Sequence, residues 1–267
     1  MKKFIGDIKK FRNYSIYNVK AELKSEVAGS FLSWLWWILD PLLFMLVYAF
    51  VASIIFGSKE IHAFLAFVFV GLNCWQFFNR VVRSSVKLVV AKKSIVTKVY
   101  IPKFMFILEK IGINGFKMLI SFVITAIFMA HYCIQGEISI TANILWIFPL
   151  LMLLALISFS FSVIVMHFGV FVEDLLNIVT VGLQLMFYLS GIFYDISGRL
   201  TTHPRLRGVL CYGNPVALII NNIRDTLLYG KLPEFLPLAI WFAICLIISV
   251  IGVRTIYKHE NSYVKII

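Results

Sequence analysis

Apolar and polar positions alternate along this chain in long blocks. Six stretches, roughly 31–57, 61–79, 104–132, 143–170, 175–194 and 235–256, are almost continuously apolar. A helix rises about 1.5 Å per residue, so a hydrocarbon layer about 30 Å thick takes about 20 residues. Each stretch is that long or longer, which predicts an all-α integral membrane protein with six transmembrane helices. The segment between the second and third stretches and the one before the first carry helical spacing with a charged face. These are expected to lie at the membrane surface.

Composition and charge sharpen this picture. Of 267 residues, 61% are hydrophobic, against about 45–50% in a soluble domain, and six spans leave little chain for a separate soluble domain. The net charge of +12 would point to nucleic acid in a soluble protein. Here the cations cluster: Lys2, Lys3, Lys9, Lys10, Arg12, Lys20 and Lys24 precede the first stretch; Arg80, Arg83, Lys87, Lys92, Lys93, Lys98 and Lys103 follow the second; Arg254, Lys258 and Lys265 follow the last. Positive loops stay in the cytoplasm, so six crossings put both termini inside and call for anionic headgroups, not nucleic acid, as the basic partner. The segment 195–234 then lies outside despite Arg199, Arg205, Arg207, Arg224 and Lys231. No signal peptide is expected, because Asp7, Lys9 and Lys10 interrupt any early apolar core. Four scattered cysteines, Cys74, Cys133, Cys211 and Cys245, make no metal spacing and read as free thiols.

Four local features carry chemistry. Residues 4–28 place Phe4, Ile8, Phe11 and Ser15, and then Ile16, Val19, Leu23 and Val27, at helical spacing, which predicts an amphipathic helix in the cytoplasmic interface. In the first stretch Trp34, Trp36 and Trp37 suit a headgroup belt, or alternatively the wall of a sugar path. Asp40 precedes Pro41, a carboxylate inside the membrane beside a missing backbone donor. Asp40 is expected on an inner face, with Lys110 and Lys117 as candidate partners. The inner segment RVVRSSVKLVVAKKSIVTKVYIPK, over 80–103, predicts an amphipathic helix and then an extended piece ending at Pro102. A second, shorter inner connection carries Glu173 and Asp174; the two connections together suit docking of a soluble partner, or serve only as connectors. In the outer segment, NPVALIINNIRDTLLYG predicts a helix capped by Asn214, with Pro215 at its first position and Gly230 as its stop. It is too short and polar to span, so it is expected to dip into the outer leaflet as a gate, with Arg224 and Asp225 tying it to neighbouring chain.

No catalytic or cofactor constellation accompanies these features. There is no nucleotide cradle of the GxxxxGK[ST] kind, no HExxH and no GxSxG. His131 and His167 are isolated and read as interfacial or core residues. Proton-coupled carriers show several buried carboxylates or histidines, and little beyond Asp40 answers to that here. The chain is therefore expected not to be an enzyme, to need no metal or cofactor, and to draw its energy from an external ATPase.

Four pieces in order, WWILDPLLFMLVYAFVASIIFG, GLNCWQFF, KVYIPK and NPVALIINNIRDTLLYG, resemble the membrane subunit of type-2 ABC exporters, in the branch exporting O-antigen, capsule and teichoic acid. Asp40 departs from that pattern, in which Asn or another uncharged residue often precedes the proline. The resemblance implies a bacterial cytoplasmic-membrane homodimer served by two copies of a nucleotide-binding ATPase subunit. It implies transport of a polyprenyl-diphosphate-linked glycan. It divides the chain into an interface helix over 1–30 and a permease domain over 31–267. Within the latter lie a coupling segment at 84–98 and a pair of short re-entrant gate helices at 196–230. Under this reading Trp34, Trp37, Tyr48, Phe187 and Tyr188 line the glycan path, and Arg80 and Arg83 meet the lipid diphosphate. Lys87, Lys92, Lys93, Glu173 and Asp174 face the ATPase, and Asp40 and Lys117 are intramembrane polar groups. Two rivals stand beside it. One is an exporter of small lipophilic drugs or lipids, disfavoured by the compact outer segment. The other is a membrane scaffold in glycan assembly.

Overall fold

A computed structural model describes residues 2–28, 33–55, 63–136, 138, 141–196 and 204–266, and among these there is no strand. The helices are α1 (Lys2–Ala28), α2 (Ser33–Ile55), α3 (Phe64–Val86), the single turns α4 (Leu88–Ala91) and α5 (Lys93–Val96), α6 (Phe104–Ile134), α7 (Ile147–Phe171) led in by the 3-10 turn Ala142–Trp146, α8 (Leu175–Leu189), α9 (Pro204–Gly213), α10 (Pro215–Leu227) and α11 (Phe235–Ile266). Four are long and apolar enough to cross a bilayer: α3, α6, α7 with its lead-in turn, and α11. Two shorter apolar helices, Leu35–Val47 within α2 and Leu175–Leu189, accompany them.

α3 is the hub. It packs on α2, α6, α7, α8 and α10, and residues from Ala66 to Trp75 along it are buried almost without interruption. A helix apolar all round belongs in the middle of a bundle. By contrast α6 and α11 bury one side and expose Leu119, Val123 and Ile127, or Ile240, Ile247 and Ile251, as lipid-facing helices do. α6 and α11 have 31 and 32 residues. At about 1.5 Å per residue each is some 15 Å longer than the hydrocarbon layer. Their surplus ends meet in a second apolar cluster, where Phe104, Phe106, Val253, Ile256 and Tyr263 join Leu88 and Val89 of α4 and Met166 of α7. Phe4, Ile8 and Phe11 of α1 pack against this cluster.

Several boundaries differ from the sequence expectation. α3 does not stop at residue 79 but runs on to Val86. The inner segment is therefore the tail of α3 plus two single turns, not one separate helix. The expected extended piece is cut short: the Lys98 and Val99 amides still bond back to the Ile95 carbonyl, and only residues 100–102 are irregular before Lys103. α11 continues ten residues past 256, because no proline or glycine stops it and Tyr263 has a buried seat. α8 ends at Leu189, short of 194: Gly191 takes a left-handed φ of 62°, and the chain turns there. α10 follows its sequence signals closely. The Asn214 side chain accepts from the Val216 and Ala217 amides at 3.0 and 3.3 Å, Pro215 occupies the first turn, and Gly230 has φ 60°.

Candidate functional site

Two arrangements bring polar side chains into this apolar bundle. The first is a seam between α2, α3 and α6. Asp40 of α2 pairs with Arg80 of α3 at 3.5 Å, and Arg80 also donates to the Gln76 carboxamide at 3.4 Å. Deeper in, Asn73 donates to Thr125 of α6 at 3.5 Å, while Asn114 and Ser121 bond back to carbonyls of their own helix. A cavity of about 10 Å³ lies among Trp37, Asn73, Gln76, Arg80, Asn114 and Lys117, close to the size of one water. Trp37 stands edge-on to Phe116 with ring centroids 6.0 Å apart, and the Lys117 ammonium lies 5.8 Å from its ring centroid.

The expected partners of Asp40, Lys110 and Lys117, are taken by α1 instead. Lys117 pairs with Glu26 at 2.6 Å, and Lys110 pairs with Glu22, which also meets Lys92 of the inner segment at 3.6 Å. Burial raises the Glu22 carboxyl pKa, but the lysine pair outweighs it and leaves it below the ordinary carboxylate value. The reason for the exchange lies in helix geometry. Residues four apart share a face, so Glu22 and Glu26 line the side of α1 that rests on α6. Glu109, 2% exposed, is a buried carboxylate, unlike Asp40, whose side chain is 47% exposed. It accepts from Asn18 at 2.5 Å and Ser15 at 3.4 Å. The glutamates at i and i+4 on α1 were the signal that could have disclosed this network.

The second arrangement locks the opposite end. Arg224 of α10 is 2% exposed and donates to the main-chain carbonyls of Phe67, Gly191 and Ile192 at 3.1, 2.8 and 2.8 Å. Its guanidinium needs acceptors in a dry place, and the turn after α8 supplies two of them. Gly71 leaves the room: a Cβ there would stand 2.5 Å from Arg224 Nη2. Asp225 is half-buried beside it and joins its own carbonyl to the Lys231 amide at 2.8 Å.

The other expected site residues are distributed as follows. The side chains of Trp34 and Tyr48 lie outside the described residues. Phe187 packs on Trp75 of α3 at 5.6 Å and on Tyr188 at 5.3 Å, and Tyr188 is 58% exposed. Trp37 thus packs on α6 and Phe187 on α3. Arg83 is exposed. Lys87 is turned inward, donating to the Gly169 and Val172 carbonyls at 3.2 and 3.1 Å. It therefore closes the end of α7 and does not project from the surface. Lys93, Glu173 and Asp174 are exposed, and Lys92 is half-buried. All four cysteines are free. His131 is exposed and stands edge-on to Tyr132, and His167 bonds the Tyr263 hydroxyl at 2.6 Å.

An O-antigen export system permease protein RfbA from Klebsiella pneumoniae is 26% identical over 247 residues, covering 92% of both chains. A second K. pneumoniae protein of that name is 25% identical over 251 residues, 94% of this chain and 92% of its own. One from Myxococcus xanthus is 25% identical over 249 residues, 93% of each. The family model for the ABC-2 type transporter matches residues 16–228, a stretch that takes in the α1–α6 salt-bridge network, the Asp40–Arg80 seam and the Arg224 lock. The chain belongs to the ABC-2 type transporter family.

Proposed function

We propose that this chain is the permease subunit of an exporter that moves a lipid-linked polysaccharide, O-antigen-like or teichoic-acid-like, outward across the bacterial cytoplasmic membrane. The observation that carries the reading is the end-to-end correspondence with three O-antigen export permeases over 92–94% of the chain. The polar seam supports it. Intramembrane ionisable groups face protein or water, not lipid, and a path for hydroxyl-rich sugars needs such groups. In this reading the six spans are α2, α3, α6, α7, α8 and α11, with both termini cytoplasmic, α1 as the interface helix, and α9 and α10 as the outer gate. Two copies form the path, with Trp34, Trp37, Tyr48, Phe187 and Tyr188 offering flat faces to pyranose rings. Arg80 and Arg83 meet the diphosphate. A separate ATPase, two copies per dimer, supplies the energy and docks on the inner connections through Lys92, Lys93, Glu173 and Asp174. Lys87 contributes by holding those connections together.

The test is reconstitution of the chain with the ATPase encoded beside it in vesicles holding a polyprenyl-diphosphate glycan. ATP-dependent appearance of the glycan on the far face is expected. Transport of small lipophilic drugs with no movement of the glycan would overturn the reading.

A further inference from the structure

A cleft of about 590 Å³ opens between α6, α7 and α11 under the start of α1, away from the seam and from α2 and α8. Its walls are Leu108, Ile111, Leu156, Phe159, Leu246 and Val250. Its two hydroxyl groups are already engaged: Ser249 is hydrogen-bonded to the Ser160 hydroxyl at 2.8 Å, and Tyr257 donates to Asp7 at 2.5 Å. The wall is therefore apolar, with no polar group of its own left to satisfy. At the α1 end stand two cations, Lys3 and Arg254, with no carboxylate among the lining residues. Neither is ion-paired among the described residues. Lys3 rests over the Tyr257 ring at 4.6 Å. From Leu246 to Tyr257 is eleven residues of helix, about 16 Å, the depth of one leaflet.

We infer that this cleft binds a phospholipid of the surrounding membrane, an acyl chain along α7 and α11 and an anionic headgroup on Lys3 and Arg254. A greasy slot one leaflet deep, ending in two cations that bridge α1 to α11, matches an anionic lipid and not a neutral one. The bound lipid fastens the start of α1 to the end of α11, a junction otherwise made by the Asp7–Tyr257 bond and by packing on Phe104.

The experiment is native mass spectrometry of the full chain, taken from nanodiscs of equal parts phosphatidylglycerol and phosphatidylcholine. Wild type is expected to retain phosphatidylglycerol. Lys3→Ala with Arg254→Ala is expected to lose that preference by about thirtyfold, since each surface cation contributes about 1 kcal/mol toward an anionic lipid. Ala155→Phe, which fills the cleft, is expected to release the lipid altogether. Should that variant not fold, the charge variant decides alone. Equal retention of the two phospholipids by wild type, or an unchanged preference in the charge variant, would overturn the inference. Recovery of a polyprenyl diphosphate from this cleft in protein taken from native membranes would overturn it too, assigning the slot to cargo.

Discussion

Arg224 meets Phe67 twice. Its Nε donates to the Phe67 carbonyl at 3.1 Å, and its guanidinium carbon lies 3.4 Å from the centroid of the Phe67 ring. Two further bonds go to Gly191 and Ile192. One side chain thus joins α10, α3 and the turn after α8. Arg224→Met would strip the buried Gly191 and Ile192 carbonyls of this donor, at about 1–3 kcal/mol each, while the Phe67 carbonyl, inside α3, keeps its helical amide partner. A loss of about 2–6 kcal/mol is expected, read as a lowered unfolding midpoint of the detergent-solubilised protein. Arg224→Lys should recover only part, because an ammonium cannot present the same fork.

The close approach of α3 and α7 gives a second test. A Cβ on Gly169 would stand 1.9 Å from the Val86 carbonyl oxygen, and backbone cannot rotate away. Gly169→Ala is expected to destabilise by about 1–3 kcal/mol. Gly182→Ala, inside α8 with nothing within 4 Å of its Cβ, is the matched control and should not lower the midpoint but raise it slightly, by helix propensity.

The α1–α6 attachment should depend on acid. The Glu22 carboxyl is held below its ordinary value of 4.5, so its contribution is complete above that pH and fades as pH falls through the lower folded value. Glu22→Gln should flatten this acid dependence, followed by protease sensitivity of residues 2–28. A double-mutant cycle with Lys110→Met should return a coupling of about 0.5–3 kcal/mol.

The Asp40–Arg80 pair separates stability from transport. Both side chains are over a third exposed, so Arg80→Gln should change stability by no more than about 1 kcal/mol. If Arg80 meets a diphosphate, the lost charge-assisted bond is worth about 1.5–3 kcal/mol, roughly a ten- to hundredfold fall in apparent substrate affinity. Vesicle export assays at several substrate concentrations would resolve it.

The inner connections give the last test. Glu173→Lys with Asp174→Lys reverses two exposed charges and should weaken co-purification with the ATPase while the unfolding midpoint stays put. Lys87→Ala should instead lower the midpoint, since the Gly169 and Val172 carbonyls lose their donor.

Local signals in the chain were legible where they are self-contained. Asn214, Pro215 and Gly230 mark α10 by cap, fixed φ and left-handed turn, and the structure uses all three as read. Long apolar runs likewise disclosed α6 and α7 nearly to the residue. Reading failed where a decision depends on a partner distant in sequence. Asp40 finds Arg80 forty positions on, not Lys110 or Lys117, because α1 brings its own glutamates to those lysines. The tail of α3 reads as a surface helix, since its cationic residues hide that it continues a buried one. The bonds of Lys87 to the Gly169 and Val172 carbonyls, more than eighty positions on, leave no local mark either.

The contact of Val86 with Gly169 leaves no slack between the two inner connections, and Lys87 pins them across the same gap. Val86 and Lys87 thus tie α3 to the end of α7 at two successive residues. α3 also carries the Phe67 carbonyl that Arg224 grips, so one uninterrupted helix joins the Gly169 contact to the turn after α8.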